Sequence, residues 1–278
     1  MLPISFTFSQ SSLQDYVDCP RRFQLRYVQS QAWPGVQAEP LIEREHQLRR
    51  GERFHRLVQR HQLGMDAAVL GESIGDDPDL VAWWQAYLGF SYLHDLGGRR
   101  YPEYTLSTTV ASVRLTATFD LLVMVPGERV VIFDWKTYRR KPSRSWFEAR
   151  LQTRVYRYVV VRAGAGLLGV DLVPDQVSMV YWLAGDPGGP VALDYDRAQF
   201  SRDEEYLGAL VEEILGASGV GVWSLALDES RCRFCEYRSL CDRGVAAGYL
   251  DEFSIVSDNI AVGGGLVLGL GDVEEVGF

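Results

Sequence analysis

Apolar residues recur every three or four positions in the first part of the chain, then every second position, then in mixed order. The first spacing is that of amphipathic helices and the second that of strands with one buried face. Residues 9–29 place Leu13, Tyr16, Val17, Phe23 and Tyr27 at helical spacing. Ser11 with Gln14 fits a capping box at the start of this helix. Pro20 must break or kink it, because proline lacks an N–H and clashes with the preceding turn. A loop is expected at 30–40, then a strongly basic helix over 41–63. Residues 64–78 are rich in Gly and Asp and read as a loop. Residues 79–96 predict a third helix, with Trp83, Trp84, Tyr87 and Phe90 as its core side.

Strands are expected at 101–110 and 113–125, followed by a turn at Pro126-Gly127-Glu128. Residues 129–137 are apolar almost throughout, as in a central strand covered on both faces. A helix over 145–162 follows, then strands at 176–183 and 190–194 joined by a turn-rich link. Residues 200–217 predict another helix, with Ser201 and Glu204 as its capping box. Cysteines gather in 228–244, and from 251 the chain is acidic and Gly-rich.

Composition changes this picture little. Of 278 residues, 47% are hydrophobic and 23% charged, which suits a globular chain with a core of its own. The start shows no basic region followed by an apolar one, and no apolar run is long enough to span a bilayer, so a cytoplasmic, membrane-free protein is expected. The net charge of −9 argues against a polyanion partner until its distribution is considered. Residues 138–157 carry seven Lys/Arg against one Glu, whereas 242–278 carry seven Asp/Glu against one Arg. A basic patch can bind phosphates whatever the total charge. No phosphate-loop motif is present, so no ATP-driven motor is expected.

Candidate chemistry lies in TFDLLVMVPGERVVIFDWK. Asp134 and Lys136 sit two apart on a strand and share a face, while Trp135 points away. Hairpin pairing can bring Asp120 beside them. Ionised groups in an apolar strand are costly unless something compensates them. Mg²⁺ or Mn²⁺ between hard carboxylate oxygens would do so, and would activate a water for hydrolysis. A plain Asp–Lys ion pair is the simpler reading of the two residues alone. Among the basic residues, Arg49, Arg53, Arg56 and Arg60 recur at helical spacing, either along a DNA channel or on a solvated face. Arg139, Arg140, Lys141 and Arg144 follow the catalytic strand and are expected to meet phosphate.

Cys232, Cys235 and Cys241 read C-x2-C-x5-C, and Cys19 is the only other cysteine. Four thiolates can hold a tetrahedral zinc or a [4Fe–4S] cluster, and the spacing does not choose between them. Either would join the two ends of the chain.

These pieces together resemble the RecB-like PD-(D/E)XK nuclease family, and most closely its iron–sulfur branch. That branch includes CRISPR-associated adaptation nucleases and the nuclease domain of AddB. SFTFSQSSLQDYVDCPRRFQLRYV resembles its entry helix, with Cys19 as the first cluster ligand. GERFHRL resembles its G-x-x-x-H motif, FD and DWK its carboxylate and lysine motifs, and QTRVY its Q-x-x-x-Y. The resemblance spans about residues 5–243. It implies that His55, Asp120, Asp134 and the Trp135 carbonyl hold the metal and that Lys136 is the catalytic lysine. It implies that Gln152 and Tyr156 shape the site, and Glu103 matches a loosely kept acidic position. It also implies a [4Fe–4S] cluster on Cys19, Cys232, Cys235 and Cys241.

The expectation is an α/β fold. A mixed central sheet is flanked by helices, with helical N-terminal additions and a C-terminal cysteine segment. Residues 1–250 form one domain and 251–278 a flexible acidic tail. The expected activity is metal-dependent DNA cleavage, by an exonuclease acting on single strands or ends in repair, recombination or CRISPR adaptation. A helicase or other subunits are possible partners. The alternative is a catalytically silent DNA-binding subunit that keeps its cluster or zinc.

Overall fold

The computed structural model describes residues 1–31, 39–125, 127–137, 142–168, 171–186 and 189–243. The acidic tail, together with Arg139, Arg140 and Lys141, lies outside these residues.

Strand β1 (Phe8–Ser9) runs straight into helix α1 (Gln10–Asp18). The cap is Ser9, not Ser11. Ser9 Oγ accepts from Ser12 N at 3.2 Å, and Ser12 Oγ accepts from Ser9 N at 2.9 Å. Of the break or kink expected at Pro20, the structure has the break. Cys19 is extended, and Pro20 opens α2 (Pro20–Phe23). Proline crowds the residue before it out of helical geometry but is tolerated at a first helical position. Next come α3 (Glu39–Gln62), α4 (Ala67–Glu72), α5 (Pro78–Leu88) and α6 (Ser91–Asp95). Helix α4 lies where a loop was expected. Its Asp66 cap accepts from the backbone of Ala68 and Val69 at 2.9 and 3.1 Å. That local bond outweighs a loop-like composition.

Strands β2 (Arg99–Val110), β3 (Val113–Val125), β4 (Arg129–Lys136), β5 (Val177–Leu183) and β6 (Val191–Asp194) complete a mixed six-stranded sheet. β2, β3 and β4 are successive antiparallel neighbours. β5 pairs parallel to β4, and such a pairing needs a long crossover. Helices α7 (Arg144–Ala149), α8 (Leu151–Ala163) and α9 (Ala165–Leu168) lie in that connection. The helix expected over 145–162 is thus divided at Arg150. Helix α10 (Arg197–Val220) starts at Asp196, which caps Gln199 N at 2.6 Å, rather than at Ser201.

β3 organises the sheet. β2 covers one of its edges. The other edge meets β1 at Leu115–Thr116 and β4 at 121–125. Among the described residues, no strand pairs with 117–120 on that edge. Two apolar cores lie on opposite faces. One packs Leu122, Ile132 and Met179 against α1, α8 and α10, through Leu13, Val155 and Leu207. The other packs Leu121, Phe133 and Trp182 against Phe54 of α3 and Trp84 and Tyr87 of α5. β4 is therefore buried along nearly its whole length, as its apolar run requires. No described helix is long and apolar enough to cross a membrane.

The β2–β3 hairpin turns through Ala111 and Ser112, both left-handed with φ of 44° and 67°. Such turns favour Asn-Gly, because side chains with a Cβ resist positive φ. Ser112→Gly should therefore raise stability by about 1 kcal/mol. Urea unfolding of the two proteins checks this, and an unchanged midpoint would show that the turn carries no such cost.

Candidate active site

The strand registers draw one line of polar residues across the sheet. Pro102 pairs with Leu121 and Tyr104 with Phe119, which sets Glu103 opposite Asp120. The β3–β4 ladder ends at the pair Leu121–Phe133, and Asp120 and Asp134 are the next residues beyond it on their strands. Asp134 in turn pairs with Tyr181. The backbone is irregular on this line. Glu103 has φ 49° inside β2. Tyr101 and Tyr104 pack on the same core, as do Phe119 and Leu122, although positions three apart in a regular strand face opposite ways. A left-handed non-glycine residue costs on the order of 1–3 kcal/mol and is held only where its surroundings fix it.

Helix α3 brings His55 to this line. Phe54 is fully buried and stacks on Trp182 at 5.5 Å. One turn earlier, a Cβ on Gly51 would come within 3.1 Å of Thr137 Oγ1, so glycine lets the helix close onto the end of β4. His55 Nδ1 lies 3.3 Å from Asp120 Oδ1. Asp120 Oδ2 accepts from the Trp135 N–H at 2.8 Å. One ligand atom each from His55, Glu103 and Asp120 all lie within 4.8 Å of one another.

The electrostatics reflect this crowding. Burial pulls the His55 pKa down, but the Asp120 carboxylate outweighs it and carries it up to about 9. Burial, then the Asp120 charge, lift Glu103 to about 7 against the pull of His55. Burial raises Asp120, but His55 and Lys136 leave its pKa below the ordinary value. Two facing carboxylates and an imidazole form a donor set that suits a divalent cation.

Asp134 and Lys136 lie beside this group, 1% and 5% exposed. Lys136 Nζ is 2.8 Å from Asp134 Oδ2, and Gln152 Nε2 donates to Asp134 Oδ1 at 2.7 Å. Ions removed from water cost several kcal/mol each unless paired and hydrogen-bonded, and these are both. Gln152 and Tyr156 are one turn apart on α8. Burial and the nearby Asp134 and Asp120 charges push the Tyr156 hydroxyl pKa upward. Thr153 and Tyr181 share a hydrogen bond of 2.7 Å beneath them.

The structure therefore gathers His55, Asp120, Asp134, Lys136, Gln152 and Tyr156, and adds Glu103 to the ligand group. Trp135 turns its indole into the core and its N–H to Asp120. Arg144, its side chain 58% exposed, donates to Ala192 O at 2.7 Å and Glu148 at 2.9 Å. Arg53 donates to Ile74 O at 3.0 Å, and Arg56 pairs with Glu52 at 3.2 Å, so these two belong to a bonded helix face. Trp83, Trp84, Tyr87 and Phe90 are core residues, as expected. The residue missed in the sequence is Arg150. It is 7% exposed and close enough to Asp134 for that charge to act on it. Its only signal was its place two residues before Gln152, inside a basic run.

Away from this line, the N-terminal helices meet the cysteine segment. The Arg21 N–H donates to Ser224 O at 3.0 Å, Trp223 stacks on Phe23 at 5.6 Å, and Arg231 pairs with Asp18. This brings Cys19, at the α1–α2 break, to Cys232, Cys235 and Cys241. Burial raises the pKa values of the latter three thiols, and Cys19 raises each of them further. Arg22 acts on Cys235, while Arg21 and Arg243 act on Cys241.

The model of the PD-(D/E)XK nuclease superfamily matches residues 7–242. The chain belongs to that superfamily. Two solved structures are similar over most of their length. SSO0001 is 12% identical, with a TM-score of 0.43 over 88% of this chain and 90% of that one. "Putative exonuclease" from Eubacterium rectale is 10% identical, with a TM-score of 0.49 over 87% and 89%. No curated protein matches the chain. In this PD-(D/E)XK protein Asp134 and Lys136 lie on a buried strand next to the strand that carries Asp120.

The shifted groups set a pH dependence. His55 and Glu103 have folded pKa values above their unfolded ones, so the metal-free native state binds extra protons and loses stability as pH rises toward about 9. Ligands must shed those protons to bind metal. Chelator-treated protein should melt progressively lower from mildly acid to alkaline pH. Mn²⁺ should restore more of the melting temperature at the alkaline end. A melting curve indifferent to Mn²⁺ at alkaline pH would count against the ligand group.

Proposed function

We propose that this chain is a metal-dependent DNA nuclease of the RecB-like iron–sulfur branch, acting on single strands or ends. The observation that carries this reading is the polar line Glu103–Asp120–Asp134, closed by His55 on one side and Lys136 on the other. Structural ion pairs do not call for three carboxylates at one height. A site that must hold a cation against a phosphate does.

His55, Glu103 and Asp120 would hold the cation, with Asp134 beside them. When bound, Mg²⁺ or Mn²⁺ supplies Lewis acidity toward the phosphate and lowers the pKa of a water. The protein's own residues do the rest. Gln152 fixes the Asp134 carboxylate, which holds the Lys136 ammonium in place. Lys136 stabilises negative charge developing on the phosphate and orients the attacking water. Tyr156 packs edge-on to Phe119 and closes the floor of the site.

Cys19, Cys232, Cys235 and Cys241 would hold a [4Fe–4S] cluster, with zinc as the competing occupant. The donor set fits an anionic thiolate group, because four thiols converge and Arg21, Arg22 and Arg243 surround them. Its role is to clip the N-terminal helix to the C-terminal segment. Closing so long a loop removes much chain entropy from the unfolded state.

Two experiments test this reading. End-labelled single- and double-stranded DNA, incubated anaerobically with Mn²⁺ or Mg²⁺, should be cleaved by the wild type. Lys136→Ala should lose about a thousandfold or more in rate. Cleavage that survives in Lys136→Ala would reject the assigned role. Cys19→Ala should lose bound iron and melt at a lower temperature. Full iron loading in that variant would reject Cys19 as a ligand, and zinc in the wild type would reject the cluster.

A further inference from the structure

Resting on the nuclease reading, we propose that the exposed face of the β2–β3 hairpin carries the sugar–phosphate backbone of a single DNA strand past the metal group. Two rows of side chains run along this face. One leaves Glu103 through Thr105, Ser107 and Thr109, and the other leaves Asp120 through Thr118, Thr116 and Arg114. The register pairs them rung by rung: Thr105 with Thr118, Ser107 with Thr116, and Thr109 with Arg114. Residues two apart on a strand share a face. The intervening Leu106, Val110, Leu115 and Ala117 enter the core beneath α8 and α10, so the two rows point away from it. On their own side, α3 and α5 cover β3 from Leu121 onward. Thr105, Ser107, Thr109, Arg114 and Thr118 are exposed, and Thr116 is half-buried.

A solvated strand face is ordinarily polar, and threonine suits a strand. What sets this face apart is which polar residues it holds. The chain carries 37 Asp/Glu and a net charge of −9. Among the described residues β2 pairs with β3 alone, and an open edge strand commonly carries charged side chains. Yet beyond Glu103 and Asp120 the two rows hold five hydroxyls, one arginine and no acid. Ser and Thr hydroxyls donate to phosphate oxygens, and such contacts fix register without reading sequence. Thr105 and Thr118 share a hydrogen bond of 2.9 Å, which uses one of their two protons and leaves the other for a partner. Thr116 is turned inward and donates to Leu106 O at 3.2 Å. Among the described residues Arg114 makes no ion pair, so its charge is open to an anion. From Asp120 to Arg114 the row runs about 20 Å at roughly 3.4 Å per residue, which a stacked strand rising about 3.4 Å per nucleotide would span with about six nucleotides. Along this path a polyanion meets repulsion only at Glu103 and Asp120, where the cation binds.

The test is binding, read separately from cleavage. Fluorescence anisotropy of a labelled single-stranded oligonucleotide, with Ca²⁺ in place of Mg²⁺ and across a salt series, compares the wild type with charge variants on the face. Ser107→Glu should weaken binding roughly tenfold, and Ser107→Lys should tighten it several-fold and steepen the log–log salt slope by about 1. Arg114→Gln should weaken binding roughly fivefold and lower that slope by about 1. Ser201 is exposed on α10, across the sheet, and receives the same two substitutions as a control for net charge. Each should shift affinity by less than about twofold, because salt screens a charge so far from the path. Equal shifts at Ser107 and Ser201 overturn the proposal, since net charge alone then accounts for them. Unchanged affinity and slope in Arg114→Gln also overturn it, as does a wild type that does not bind the oligonucleotide. Thermal melts of all variants should stay near that of the wild type. If Ser107→Glu melts far lower, the signs of Ser107→Lys and Arg114→Gln decide. Wild-type cleavage of the same oligonucleotide with Mn²⁺ is scored separately. An uncut oligonucleotide that still shows the binding differences defeats the nuclease reading and leaves the strand path standing. A cut one without them keeps the nuclease and removes the path.

Discussion

Carboxylates crowded on adjacent strands repel, and this sheet sets Glu103 opposite Asp120 and brings Asp134 near enough to act on Glu103 as well. Two unit charges roughly 5 Å apart at an effective dielectric of about 20 repel by about 3 kcal/mol. Each neighbour at this corner offsets part of that cost. His55 Nδ1 lies 3.3 Å from one Asp120 oxygen, the Trp135 N–H bonds the other, and Lys136 and Gln152 hold Asp134. Glu103 has the least help, and it carries both the left-handed backbone and the raised pKa. A fold selected for stability alone would exchange these residues for apolar ones.

The rest of the molecule holds this arrangement in place. β4 can carry Asp134 and Lys136 in its interior only because both faces of the strand are covered, one by α8 and the other by α3 and α5. α3 approaches closely enough for His55 to reach Asp120 because Gly51 leaves no Cβ against Thr137. Phe54, the neighbour of His55, is anchored against Trp182 and Trp83. The glycine and the histidine of that helix therefore serve one purpose, which explains why they occur one turn apart.

Much of this was legible in the sequence, and the exceptions share a cause. The three central strands follow from alternation and from the apolar run of β4. Asp134 and Lys136 stood out because charges are unexpected there. The partnership of Glu103 with Asp120 was not legible, because it depends on a hairpin register set by Ala111 and Ser112, residues that carry no sequence signature of a tight turn. Helix α4 and the true starts of α1 and α10 were missed because single side-chain caps at Asp66, Ser9 and Asp196 decide them. Arg150 was counted as one charge among seven, since its burial is a tertiary fact.

The N-terminal helices and the cysteine segment meet next to the same helix layer. α1 packs on α8, which carries Gln152 and Tyr156, and α1 ends at Cys19. Asp18, next to that cysteine, pairs with Arg22 and Arg231 and also acts on Arg150. Arg22 in turn bonds the fully buried Asp15, which holds Arg26 and Tyr27. Ionic contacts thus run from the cysteine segment through Asp18 and Arg22 to Asp15, and the Asp18 charge also acts on Arg150. Buried ionic networks are costly to leave half satisfied, because each lost partner strands another charge. In this fold the joining of the N-terminal helix to the cysteine segment and the charges at the edge of the candidate active site are parts of one electrostatic problem.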